Sequence, residues 1–135
     1  MSVEIDHLGI AVKSLEESLP LYEQLLGMPL AGTETVASEH VQVAMLAAGA
    51  HREAPRIELL EASDSDSTIA KFIEKRGPGL HHIALRVDDF ESVLARLKAS
   101  GARLLNEPRA GAGGHIYVFV HPASTGGILL ELIQK

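Results

Sequence analysis

Apolar residues recur along the chain with two periods, and the switch between them predicts most of the secondary structure. In IDHLGIAV, from Ile5 to Val12, a strand would place Ile5, His7, Gly9 and Ala11 on one face and Leu8, Ile10 and Val12 on the other. The bulky face is expected to meet a helix. Ser14 and Glu17 then have the spacing of a capping box, and Leu15, Leu19, Tyr22 and Leu26 follow at near-helical intervals until Gly27. Pro20 falls inside this stretch, where a proline removes one hydrogen bond, so a kink or a late start is expected. Ile69, Phe72 and Ile73 predict a short helix that the GPG at 77–79 breaks. Asp88 and Glu91 repeat the capping spacing before Phe90, Val93, Leu94 and Leu97, and Gly101 stops that helix. VQVAMLA, RIELLEA, ARLLNEP, HIYVFVHP and ILLELIQ read as strands.

These elements repeat. DHLGIAVKSLEESLPLYEQLLG, from Asp6, aligns with HHIALRVDDFESVLARLKASG, from His81, so that His7 falls on His82, Val12 on Val87 and Glu16 on Glu91. Each half closes on a short apolar strand with one central carboxylate, Glu58 in the first and Glu131 in the second. The pattern predicts an α+β protein with a strand, a helix and three strands in each half. It places one module at about 1–62, a linking helix at about 66–76 and a second module at about 79–135, within a single domain.

Composition narrows the function. At this length a chain buries about two-thirds of its unfolded surface, enough for a core without staples. There is no cysteine, which removes disulfides, thiolate metal sites and a cysteine nucleophile. Twelve Lys and Arg stand against 18 Asp and Glu, a net charge of -6, which argues against a nucleic-acid surface. No apolar run approaches a spanning helix, and MSVEIDHLGI reads as an acidic strand rather than a leader, so a cytoplasmic protein without a membrane partner is expected.

Two imidazoles and two carboxylates at matched offsets are the chemistry the repeat singles out. His7 and His82 point away from the bulky strand face, whereas His81 shares a face with Ile83, Leu85 and Val87 and is expected to pack. Glu58 and Glu131 lie in apolar runs, where a buried carboxylate needs a partner. Taken singly, a strand histidine is more often structural and a strand glutamate solvent-facing. Taken together, the four could hold one divalent cation, and imidazole favours zinc, cobalt, nickel, manganese or ferrous iron over calcium or magnesium. His40, His51 and His121 read as surface or turn residues, and His115 fits pocket lining and exposure equally. GAGG at 111–114 lacks a following helix and reads as a tight turn rather than a phosphate loop.

With these residues in view, the sequence resembles the vicinal oxygen chelate (glyoxalase-like) superfamily, and within it the methylmalonyl-CoA epimerases. IDHLGIAV, RIELLEA, DSTIAKFIEKRGPGLHHIALRVDD and GAGGHIYVFVHPASTGGILLEL carry the resemblance over nearly the whole chain. It implies two pseudo-symmetric βαβββ modules forming a cupped mixed sheet. It also implies metal ligands at His7, Glu58, His82 and Glu131, and one divalent ion per site, with cobalt supporting activity and zinc, manganese or nickel as alternatives. The activity implied is interconversion of (2R)- and (2S)-methylmalonyl-CoA by 1,1-proton transfer through a metal-stabilised enolate, in propionate-type metabolism, by a homodimer. Glu131 and its mate Glu58 would be the catalytic acid–base pair. Some members of that family carry glutamine where this chain has Glu58, and a further glutamate where it has Val43. Lys71, Arg76 and Arg109 are the basic residues considered for the phosphates of an acyl-CoA. The alternatives are a glyoxalase I-type lactoylglutathione lyase, an extradiol dioxygenase, for which a fourth ligand is superfluous, and a metal-free sequestering protein of the same fold.

Overall fold

The computed structural model describes residues 2–111 and 114–135. Its elements run β1 (Val3–Ala11), α1 (Leu15–Pro20), β2 (Leu30–Val36), β3 (Val41–Ala47), β4 (Arg56–Ala62), α2 (Thr68–Arg76), β5 (Gly79–Val87), α3 (Phe90–Ala99), β6 (Arg109–Ala110), β7 (Ile116–Val120) and β8 (Leu130–Gln134). The strand, helix and three strands therefore occur twice. The chain divides into two units, His7–His81 and His82–Lys135, the latter joined by the first residues up to Asp6.

In the N-terminal unit β1 runs parallel to β4, β4 antiparallel to β3, and β3 antiparallel to β2. The bulky face of β1 does meet its helix: Val12, Ala44, Leu46 and Leu59 are buried against Ile10, Leu15, Leu19 and Tyr22. On the opposite face Ala11, Val41, Val43 and Leu60 pack under Ile69, Phe72 and Ile73 of α2. The Ser67 side chain, 1% exposed, caps α2 by accepting from the Ile69 N–H at 3.1 Å.

Pro20 acts as the sequence foretold, by a route the periodicity missed. Pro20 has no N–H, so the helical ladder loses a rung. The next turn, Leu21–Leu25, widens to a π-helix in which the Leu26 N–H donates to the Leu21 carbonyl at 3.0 Å. The wider turn rotates Leu26 off the packed face, leaving it 63% exposed, and Met28 joins the core instead. Gly27 then adopts φ +70°, which a side chain resists, and ends the segment.

The C-terminal unit repeats the ladder, with β5 parallel to β8, β8 antiparallel to β7, and β7 antiparallel to β6. α3 packs Phe90, Val93, Leu94 and Leu97 on Val87, Val118, Val120 and Leu132. Its N-cap is Asp89 rather than the expected Asp88. The Asp88 carboxylate is engaged elsewhere, accepting from the Ser2 N–H at 2.9 Å and the Ser2 hydroxyl at 3.0 Å. These bonds hold its pKa below the usual carboxylate range. ARLLNEP does not form a continuous strand. Leu104 makes a single bridge to Val120, and beyond it the Asn106 side-chain oxygen accepts the Phe119 N–H at 2.9 Å in place of a backbone carbonyl. Pro108, which has no N–H to give, follows.

Two hydrogen bonds to Asp64, from His40 at 2.7 Å and from the Asp66 N–H at 2.8 Å, lower its pKa, the His40 bond most. The sign follows from linkage. A carboxyl depressed in the folded state adds stability above its ordinary pKa and loses it as pH falls through the native value. Urea midpoints of the parent and Asp64→Asn are thus expected to differ slightly near neutral pH and to converge in acid. The difference is small because the carboxyl is exposed.

Candidate active site

The two repeats hold their histidine and glutamate in the same way. In the N-terminal unit Gly9 of β1 is the register partner of Glu58 on β4, and His7 lies two residues before Gly9. In the C-terminal unit Ala84 of β5 is the register partner of Glu131 on β8, and His82 lies two residues before Ala84. The strands place each imidazole diagonally across from its carboxylate, with only a small residue between them. The distances agree: His7 Nδ1 is 3.4 Å from Glu58 Oε2, and His82 Nε2 is 3.4 Å from Glu131 Oε1. His7 and His82 are buried at 6% and 7% exposure. The structure thus joins the four predicted residues as two equivalent His–Glu pairs, one in each unit.

The surroundings of the two pairs differ. On β4, Arg56 and Glu58 share a face, and the Arg56 guanidinium reaches Glu58 Oε2 with Nε at 3.4 Å and Nη2 at 3.2 Å. His7 and Arg56 converge on one carboxylate oxygen. Sequence reading passed over Arg56, although the i, i+2 spacing in RIE was the available signal. In the C-terminal unit His82 meets the Phe119 ring edge to face, with centroids 6.0 Å apart, and Phe119 is the register partner of Glu131. Arg86, on the face of His82, pairs with Glu4 at 3.4 Å and Asp6 at 3.6 Å.

The remaining histidines fall outside these pairs. His81 packs edge to face on Phe72 at 5.0 Å, and burial lowers its pKa. His40 pairs with Asp64, His51 and His115 are exposed, and His121 accepts the Ala123 N–H at 2.9 Å. For GAGG, Ala112 and Gly113 lie outside the described residues; the flanking Gly114 N–H donates to the Gly111 carbonyl at 3.0 Å.

Chemically, a buried imidazole beside a carboxylate is a donor set for a transition metal or a proton-transfer pair. Residues 6–119 match the family described as Glyoxalase/Bleomycin resistance protein/Dioxygenase superfamily. The ethylmalonyl-CoA/methylmalonyl-CoA epimerase of Cereibacter sphaeroides is 35% identical over 133 residues, covering 96% of each chain. The chain belongs to the methylmalonyl-CoA epimerase family. Family members are isomerases, and the uncharacterized protein YqjC of Bacillus subtilis is also similar, 37% identical over 96% of this chain and 91% of its own. A solved methylmalonyl-CoA epimerase variant from Streptomyces coelicolor, in complex with 2-nitronate-propionyl-CoA, superposes with a TM-score of 0.88 at 34% identity. That match covers 98% of this chain and 94% of that one. The α+β class and the twice-repeated βαβββ order expected from the sequence are what the structure holds.

Proposed function

We propose that this chain interconverts the C2 epimers of methylmalonyl-CoA, and that His7, Glu58, His82 and Glu131 hold one divalent metal ion. The observation that carries the reading is the duplicated His–Glu contact at 3.4 Å, built at the same register in both units of an epimerase-family chain. The donor set fits the ion. Two imidazoles and two carboxylates suit cobalt, zinc, manganese or nickel, and cobalt is the ion expected to support turnover. When bound, the cation would supply a Lewis acid toward the thioester oxygen and the free carboxylate of the substrate.

The chain's own residues do the proton work. Epimerisation removes a proton from C2 and returns one to the opposite face, so two groups must act, one as base and one as conjugate acid. Glu131 and Glu58 fill these roles in our reading. Glu58 is steadied by Arg56, whose guanidinium orients the carboxylate. Arg56→Gln is accordingly expected to weaken cobalt binding about 10- to 100-fold, read by titration calorimetry. The name of the Cereibacter relative makes ethylmalonyl-CoA the second substrate to try.

Among the described residues no helix is long and apolar enough to cross a membrane. We place the protein in the cytoplasm, as a homodimer acting on an acyl-CoA. The test is deuterium uptake at C2 of methylmalonyl-CoA in heavy water, with and without chelator and with added cobalt. Cobalt-dependent uptake with loss of stereochemical purity is expected. Cobalt binding without uptake would sink the reading in favour of glyoxalase chemistry, checked with a glutathione hemithioacetal. Absence of cobalt binding would favour a sequestering protein.

A further inference from the structure

Glu131 stands in different company from Glu58. Its cross-strand neighbours are Ala84 on β5 and Phe119 on β7, and paired residues leave a sheet on one face with Cβ atoms about 5 Å apart. Glu58 has Gly9 and Met45 in the corresponding places. A phenyl ring therefore flanks one carboxylate where a thioether flanks the other. The thioether has three rotatable bonds and adapts to what it meets. Phe119 lacks that freedom, being held by side chain and backbone alike. Its ring stands edge to face with His82 at 6.0 Å and with Tyr117 at 5.6 Å, so a change of rotamer gives up both contacts. Its N–H donates to Asn106 Oδ1 at 2.9 Å, and its carbonyl accepts the Leu105 N–H at 2.8 Å. Tyr117 is itself fixed. It is 8% exposed, and its hydroxyl accepts from Arg109 Nε at 2.8 Å, with the guanidinium carbon 5.5 Å from the ring centre. Gly111 makes room for that ring, since a Cβ there would fall 2.8 Å from Tyr117 Cδ1 and Cε1. The Arg109 bond thus steadies a row of rings, Tyr117, Phe119 and His82, that ends at the Glu131 carboxylate.

The substituents of C2 differ in what they gain from such a surface. In the epimerase reading above, on which this inference rests, the C2 hydrogen goes to Glu131, and the carboxylate and thioester oxygens go to the cation. The alkyl group is the one substituent that gains by apolar contact, and of the two residues paired with Glu131 the large apolar one is Phe119. A wall that yields admits alkyl groups of several lengths. A pinned wall admits short ones.

We propose that Phe119 is a specificity-determining residue, the fixed wall that favours methyl at C2 over longer alkyl groups. The test measures kcat/KM on methylmalonyl-, ethylmalonyl- and propylmalonyl-CoA for the parent, Phe119→Leu, Phe119→Ala and Met45→Ala. Cobalt is saturating throughout, so that loosening of His82 is not read as specificity. In the parent kcat/KM should fall about 10-fold or more with each added methylene, the scale on which a pocket weighs one such group. Phe119→Leu should shrink that fall and Phe119→Ala should remove most of it, whereas Met45→Ala should leave it in place. Three results overturn the proposal: a parent indifferent to alkyl length, an equal loss on all three esters in the Phe119 variants, which would make the ring a support for His82 only, and a fall removed by Met45→Ala instead. A parent that turns over none of the esters would fail the epimerase reading itself. Calorimetry of the three esters on the cobalt-loaded parent and Phe119→Leu then decides the wall alone. Affinity that falls with alkyl length in the parent and levels in the variant supports it; equal or absent binding overturns it.

Discussion

Glu131→Gln is expected to lower the epimerisation rate of methylmalonyl-CoA by about two to four orders of magnitude at saturating cobalt, the usual worth of a positioned general base. The amide keeps the shape of the side chain and an oxygen for a metal, but it cannot carry a proton. Isotope exchange sharpens the result. If Glu131 serves one face of C2 and a second group the other, Glu131→Gln should abolish deuterium wash-in from one epimer and leave it for the other. Loss from both would mean that Glu131 works on both faces. Rates within about three-fold of the parent on both epimers would remove Glu131 from the proton path. Glu58→Gln runs the same comparison in the other unit. Near-normal turnover with metal retained would make Glu58 a ligand only, consistent with the pull of Arg56 and His7 on its Oε2 atom.

Leu59→Ala should be strongly damaging to the N-terminal core. Leu59 is fully buried, packed with Val12, Ala44 and Leu46 beneath Leu15, Leu19 and Tyr22. Truncation removes its transfer energy and leaves a cavity, a loss of about 2–5 kcal/mol. For a chain of this length that lowers Tm by on the order of 10 °C, measured by calorimetry. Leu59→Met, which conserves volume, should cost less than about 1.5 kcal/mol. A drop of only a few degrees for Leu59→Ala would mean that the site collapses onto the gap.

Much of this molecule was legible in its sequence, because period and register are local properties. The alternation in IDHLGIAV and the apolar stripe of α3 define faces that hold in the fold, and the internal repeat singles out His7, Glu58, His82 and Glu131, which the fold arranges as two His–Glu pairs. Two of the failures share one cause, a partner outside the local segment. Asp88 lost its capping role to Ser2, and ARLLNEP lost its ladder to the Asn106 side chain. Leu26 left the core because one missing N–H at Pro20 changed the pitch of the following turn, which a fixed 3.6-residue period does not express. The Tyr117 brace on Arg109 crosses a hairpin that spacing alone does not register.

The ties between Ser2 and Asp88, and between Glu4 and both Arg86 and Lys135, bring the two ends of the described chain together, with Lys135 Nζ 3.7 Å from Glu4. A few glycine residues would span residues 2 and 135, closing the polypeptide into a ring. Reopened at the Gly77–Gly79 turn, the ring becomes a circular permutant whose two modules follow in reversed order, each with its His–Glu pair on uncut strands. Such a rearranged chain makes the internal repeat an object for engineering, since either module is then free to be replaced by a second copy of the other.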